Sequence, residues 1–253
     1  MQSEIYLAVD VSAETASFRI PEYHNYHRTL VLPPVTTLIG MVGAARGLSP
    51  GDAQAFFDVN RFDFGISGSS QGMFKDLWKT KSTKKTTDST IIMREYMFKN
   101  RYTFVIGGAE ELISSLAGNF SSLHYPLTAG NSDSLMKVDR VWTLSPECLA
   151  EADTFEHCLL MGNHVKSLKL SLAGMLPNQT YHFSRRTAPI CVNLPYGFNY
   201  AENGTRSIRC RRDMTFIANR VALTDGGKLK ALILEDGRSI PVFAYEPDPG
   251  QAQ

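Results

Sequence analysis

The chain has 253 residues, 43% hydrophobic and 20% charged, with a formal net charge of +1, enough for one large domain or two modest ones around a sizeable core. No apolar run approaches the length of a membrane span and MQSEIYLAVD has no basic-then-apolar leader pattern, so an intracellular, cytoplasmic protein with no membrane partner is expected. Cys148, Cys158, Cys191 and Cys210 are widely spaced and form no C-x-x-C pair, which argues against a zinc site or a disulfide framework and for reduced thiols.

Ile5 to Val11 alternates apolar and polar residues, the period of a strand with one buried face. Ser12 to His27 is a long connection containing Phe18, Arg19, Pro21, Tyr23, His24, Tyr26 and His27. It reads equally as a surface loop with aromatic anchors or as a nucleotide-contacting loop. Arg28 to Leu32 reads as a strand ended by Pro33-Pro34, since neither proline donates to a ladder. The period then changes. Thr36 or Thr37 suits an N-cap, Leu38, Met41, Val42 and Ala45 recur at helical spacing, and Gly47 sits where a left-handed C-cap belongs. Gly40, Gly43 and Gly47 leave one helix face bare, either for close helix-to-sheet packing or for the approach of a polynucleotide. No Gly-Lys-Ser/Thr follows, so this is not a phosphate-binding P-loop.

Asp52 to Val59 reads as a short helix and Arg61 to Ser67 as a strand. Met73 to Asp88, MFKDLWKTKSTKKTTD, sets Phe74, Leu77 and Trp78 among lysines with too few apolar residues to bury a continuous face, so it reads as an insertion projecting from the body. Lysines neutralise phosphates while an exposed ring stacks on or unstacks bases, the two needs of a polynucleotide clamp. A basic loop whose Trp78 folds back on the core is the plainer alternative. Ile91 to Ile106 resumes strand character with Arg94, Tyr96, Arg101 and Tyr102, Ala109 to Ala117 reads as a helix, and Met136 to Leu144 as a strand. This order fits an α+β, ferredoxin-like (RRM-like) domain over residues 1–145, with an insertion at about 68–90 and a sheet whose face away from the helices is available.

Beyond Pro146 a smaller, mainly β region over 146–253 is expected. Glu147 to Gly162 reads as helical, Val165 to Leu176 as a strand, and Tyr181 to Tyr200 as an aromatic, proline-rich loop. Phe216 to Leu223, Lys228 to Leu234 and Ile240 to Tyr245 read as strands, with Glu235-Asp236-Gly237 a hairpin turn and the terminal PDPGQAQ disordered.

The near-neutral total conceals segregation. Lys75 to Arg101 carries eight Lys/Arg against three acids, and Arg185 to Arg212 six arginines against one, so the rest of the chain is acidic. Two basic, aromatic-rich segments point to a localised anionic partner, with two merely solvated basic loops as the alternative.

The N-terminal strand, FRIPEY, LVLPPVTTLIGMVGAARG, IIMREYMFKNRYTFVIGG and HYPLTAGNSDSLMKVDRV together resemble, over roughly the first 145 residues, the CRISPR-associated Cascade subunit that caps the 5′ handle of the guide RNA, the Cas-five family of the RAMP superfamily. The resemblance implies a non-catalytic, crRNA-binding subunit of a type I effector complex, used in assembly and antiviral DNA interference. It also implies no cofactor or metal. The implied partners are the crRNA 5′ handle, the repeated backbone subunits and the large subunit, with target DNA met only within the complex. Carried over by position, Met73 to Asp88 is the family's thumb, with Lys75, Trp78, Lys79, Lys81, Lys84 and Lys85 on it. Arg19, Arg28, Thr36, Arg94, Arg101, Asn131 and Ser132 lie near the handle, and Arg185 and Arg186 join from the second basic segment. The enzymatic alternative is metal-independent cleavage of precursor crRNA, with Tyr23, His24, Tyr26 or His27 and a lysine serving as acid and base. No cleavage triad matches residue by residue, and His24 and His27 are not aligned as metal ligands.

Overall fold

The computed structural model describes residues 4–81, 89–170 and 188–246. The chain opens with β1 (Glu4–Ala16), then three two-residue strands, β2 (Phe18–Arg19), β3 (Tyr26–His27) and β4 (Thr29–Leu30), and two helices, α1 (Val35–Arg46) and α2 (Pro50–Val59). A long hairpin follows, β5 (Asp63–Lys81) and β6 (Ser89–Ala109), then α3 (Glu110–Ser121), β7 (Leu127–Thr128) and β8 (Leu135–Leu144). The strands β5, β6, β1 and β8 lie side by side in that order, each antiparallel to its neighbour. β1 is central and therefore apolar on both sides, with Leu7, Val9 and Val11 in the main core and Tyr6 on the opposite face.

Three helices cover one face. Leu38, Val42 and Ala45 of α1 and Ile113, Leu116 and Phe120 of α3 pack with Phe64, Ile66, Tyr102 and Phe104 of the sheet. The helix α1 starts one residue earlier than Thr36: Pro34 (φ −75°, ψ 166°) occupies the cap position without a side-chain bond, because the fixed proline φ already presets the entry. Gly47 at φ 74° ends it, as its position in the sequence implies, with the Leu48 N–H reaching the Gly43 carbonyl at 2.9 Å. Of the bare glycines, Gly43 serves packing, since a Cβ there would lie 2.6 Å from the Ala53 Cβ of α2. The strand expected over Arg28 to Leu32 shrinks to Thr29–Leu30, because the antiparallel partner it has among the described residues, β2, is two residues long.

The remaining strands are β9 (Leu149–Ala152), β10 (Thr154–Phe155), β11 (Leu159–Met161), β12 (Leu168–Leu170), β13 (Ile190–Tyr200), β14 (Arg206–Phe216), β15 (Val221–Leu223), β16 (Leu229–Ile233), β17 (Ser239–Pro241) and β18 (Phe243–Ala244). They form three small antiparallel sheets, β10-β15-β12, β11-β14-β13 and β17-β16-β9, while β18 extends the main sheet beside β5. The molecule is thus mixed α and β, mostly strands.

Three expectations need correcting. Glu147 to Gly162 is mostly strand rather than helix: Leu149, Phe155 and Leu159 each pair into a different sheet, and long-range pairing overrides a short apolar run of ambiguous period. The part of the Tyr181–Tyr200 loop that is described, from Ile190, is a strand that admits Pro195 at a register shift in the β13–β14 ladder. The sheet face opposite the helices is only partly free: Tyr6 and Val105 on that face pack with Leu232 and Ile240. Residues 171–176, 181–187 and 247–253, which carry the rest of two expected elements and the tail, lie outside the described residues.

Residues beyond 145 enter the main core. Leu194, Tyr196, Met214, Phe216 and Tyr245 share it with α1 and β1. A polar clamp reinforces the join: Arg209 makes two bonds to Asp58, at 2.6 and 2.8 Å, while Gln54 and Tyr245 donate to the same carboxylate.

Candidate nucleic-acid interface

The hairpin β5–β6 stays paired from Asp63 opposite Gly107 out to Lys81 opposite Ser89, so Met73 to Lys81 of the stretch expected to project is the outer part of a continuous β-ribbon, and residues 82–88 lie outside the described residues. Directly opposed residues share a face and the faces alternate. One face carries Phe74 stacked on Tyr96 (5.3 Å, 10°) and the Arg94 guanidinium 3.6 Å over the Trp78 ring, with Arg94 donating to the Tyr96 hydroxyl at 3.2 Å. The other carries Lys75 opposite Glu95, Leu77 opposite Met93, and Lys79 opposite Ile91, with Leu77 64% and Ile91 66% exposed. Trp78 is therefore half-covered, by a cation rather than by core. The Lys81 side chain, with Lys84 and Lys85, lies outside the described residues.

The aromatic connection between β1 and α1 is pinned to the base of this ribbon. Glu95, 4% exposed, accepts from the Tyr26 hydroxyl at 2.7 Å and from the Thr29 N–H at 3.1 Å. The Lys75 ammonium sits 5.2 Å from the centre of the Tyr26 ring. From there the loop presents two more cations around one ring: Arg28 lies 5.0 Å over Tyr23 and donates to its hydroxyl at 2.9 Å, and Arg19 reaches the Tyr23 carbonyl at 3.4 Å. His27 is buried between these groups. Burial, then the nearby charges of Arg19 and Arg94, hold its imidazole below the ordinary histidine value, so it is neutral at pH 7. Its Nδ1 is buried with no hydrogen-bond partner among the described residues.

The second basic segment arrives at the same loop. A cleft of about 420 Å³ is bounded by Arg19, Thr36 and Gly40 on one side and by Phe198, Tyr200 and Arg206 on the other. A neighbouring groove of about 460 Å³ brings Tyr23 and Arg28 to Asn193 and Arg211, where Arg211 bonds Glu22 at 2.8 Å. Arg209 is spent on Asp58, and Arg212 lies 5.8 Å over Tyr196. Arg185 and Arg186 lie outside the described residues.

Not every expected residue joins this track. Arg101 lies seven residues along β6 from Arg94, about 20 Å at strand rise, and lines a separate groove of about 1040 Å³ with Lys99, Lys137, Asp139 and Arg238. Asn131 and Ser132 form the turn after Gly130, which itself lines the 420 Å³ cleft; Ser132 is exposed, and Asn131 has a buried Nδ2 without a partner among the described residues. Sequence reasoning places Arg206 in a basic segment and Phe198 and Tyr200 in an aromatic one without joining them. The β13–β14 hairpin joins them, with Tyr200 opposite Arg206 in the ladder. The available signal is Asn203-Gly204, a hairpin-turn dipeptide whose Gly204 takes φ 78°. Among the described residues no group of three or more His, Cys, Asp or Glu is placed to hold a metal.

A family model described as CRISPR-associated protein (Cas_Cas5) matches residues 6–189. No curated protein matches. Among solved structures, the chain is similar to a CRISPR protein from Archaeoglobus fulgidus at 12% identity, over 94% of this chain and 98% of that one, with a TM-score of 0.50. It is also similar to a chain of a CRISPR RNA-guided surveillance complex at 13% identity (87% and 91% covered, TM-score 0.46). A third likeness, to a structure titled as a Cas protein, spans 51% of this chain and 57% of that one at 14% identity and a TM-score of 0.34. At 12% identity the first of these likenesses speaks to fold alone; the family match over most of the length is what classifies the protein, and the chain belongs to the CRISPR-associated Cas_Cas5 family.

Proposed function

We propose that this chain is a non-catalytic subunit of a type I, Cascade-type effector complex that grips the 5′ handle of crRNA. The observation that carries the reading is the meeting of the two basic segments at one loop: Lys75 from one face of the ribbon and Arg94 from the other flank Tyr26 and His27, and Arg19 and Arg28 of the same loop line clefts with Arg206 and Arg211. Cations along that path neutralise successive phosphates, and Trp78, Tyr26, Tyr23 and Phe198 lie among them as stacking faces. The order β5-β6-β1-β8, with helices after the first and third of these strands in the chain, supports a ferredoxin-like core with the ribbon as its thumb. Backbone and large subunits are the expected protein partners, with target DNA met inside the complex. No helix among the described residues is long and apolar enough to cross a membrane.

A second reading, metal-independent cleavage of precursor crRNA, draws on the neutral imidazole of His27 between two arginines. Its 8% exposure keeps it from the reach a general base needs. Titrating repeat RNA in chelator tests both. Binding without cleavage, falling about a hundredfold between about 50 and about 200 mM salt for roughly five phosphate contacts, supports the first. Cleavage abolished by His24→Ala or His27→Ala overturns it.

A further inference from the structure

We propose that the 420 Å³ cleft closed by the β13–β14 hairpin over α1 is a pocket for one bent-out nucleotide of a single-stranded RNA, its base against Phe198 and Tyr200 and its phosphate between Arg19 and Arg206. This rests on the RNA-binding reading above and names the unit that the site takes. The electrostatics are one-sided. Two arginines line the cleft and, among the described residues, no carboxylate does. The N-terminus of α1 opens onto it with neither a side-chain cap nor an acid in its first turn, and the Thr36 and Thr37 side chains stand there as hydroxyl donors. A phosphate would offset all of these positive ends at once.

The rest of the wall is shaped for a flat group. Phe198 and Tyr200 lie 6.3 Å apart at 59°, forming a corner, and the Arg206 guanidinium already rests 4.8 Å over the Phe198 ring, a planar cation on a face that also suits a nucleobase. The floor is kept open by a glycine. A Cβ at Gly40 would meet nothing within 4 Å, whereas one at Gly43 would collide with Ala53, so Gly40 is bare without serving helix packing. The volume falls in the range of small-ligand sites. Single-stranded RNA is recognised through such splayed bases, and the second wall of the cleft comes from residues 194–206, beyond the segment that the family model spans.

The same open floor supplies the test. Gly40→Phe adds a ring to the cleft lining from a position where a Cβ meets nothing within 4 Å, and Phe198→Ala removes a stacking face. The full chain is titrated with an RNA of about 12 nucleotides and with copies carrying one abasic residue moved along the strand. The wild type is expected to lose about tenfold in affinity at one abasic position. Both variants are expected to bind the intact strand about tenfold more weakly and to lose that position effect, with Gly40→Phe melting no lower than wild type; should Phe198→Ala fail to fold, Gly40→Phe carries the comparison. Equal RNA affinity and an unchanged abasic profile in Gly40→Phe overturn the pocket and leave RNA binding standing. Millimolar nucleoside 5′-monophosphates that bind the wild type but not Gly40→Phe, with RNA affinity unchanged, assign the cleft to free nucleotides and overturn the RNA assignment. Failure of the folded wild type to bind any RNA overturns both readings.

Discussion

Glu95→Ala separates what holds the track together from what it touches. The carboxylate is buried, and removing it takes away the acceptor of the buried Thr29 N–H and of the Tyr26 hydroxyl. A charge-assisted bond is worth about 1.5–3 kcal/mol and a stranded buried donor about 1–3 kcal/mol. Because one carboxylate serves both, the two losses overlap, and about 3–4 kcal/mol is expected. For a chain of this size that lowers the melting temperature by about 10 °C. Glu95→Gln keeps the shape and one acceptor, so it should lose about half as much. The functional consequence follows from the loop: once unpinned, Arg19 and Arg28 no longer hold their places, and losing two phosphate contacts should reduce the log–log salt slope of RNA binding by about 1.4. Differential scanning fluorimetry and anisotropy titrations at several salt concentrations read both numbers. A melting temperature within 2 °C of wild type, on the order of 0.5 kcal/mol, refutes the pinning, and an unchanged salt slope despite destabilisation removes the loop from the RNA path.

Trp78→Ala should weaken RNA binding about 10-fold, the range of one stacked base, while the melting temperature changes little, because the ring is covered by Arg94 rather than by core; an unchanged affinity with a large thermal loss would make it structural. Gly40→Ala should stabilise α1 by about 0.5–1 kcal/mol and Gly43→Ala should destabilise by about 1–3 kcal/mol, since only the second meets Ala53; equal melting shifts would contradict the packing described. Burial alone would push the Asp58 carboxyl up, but the Arg209 bonds, its charge, and the Gln54 and Tyr245 donors hold it below its ordinary value of 3.8. Its contribution is therefore present above about pH 4 and lost as pH falls through the lower folded value. Asp58→Asn should flatten that acid limb of stability in urea melts between about pH 5 and about pH 2; an unchanged limb would show that the clamp does not titrate as described.

The chain was readable where local signals agree with the tertiary result. Pro33-Pro34 and Gly47 bracket α1, and Glu235-Asp236-Gly237 turns where expected, with Gly237 at φ 83°. The family was legible from motif order, and the match over residues 6–189 bears it out. The charge segregation located two segments but not their meeting, which depends on β3 pairing in parallel with β6 and on the β13–β14 hairpin folding over α1. Glu147 to Gly162 misled because its apolar residues are divided among separate sheets, so no window has one period. Arg101 looked equivalent to Arg94 because a one-dimensional cluster does not say which groove a strand residue lines. Glu95 gave no signal at all: a lone acid in a basic run reads as incidental until its partners are seen.

Photo-cross-linking of a thiouridine-substituted single-stranded RNA to the full chain, with the modified residues mapped by mass spectrometry, tests most directly whether the two basic segments hold one strand. The account predicts that Trp78 or Tyr26 and Phe198 or Tyr200 are labelled by different positions of the same RNA, and that labelling fades together as salt rises. Cross-links confined to the Arg101 groove, or to one segment with the other untouched at every position, would contradict it.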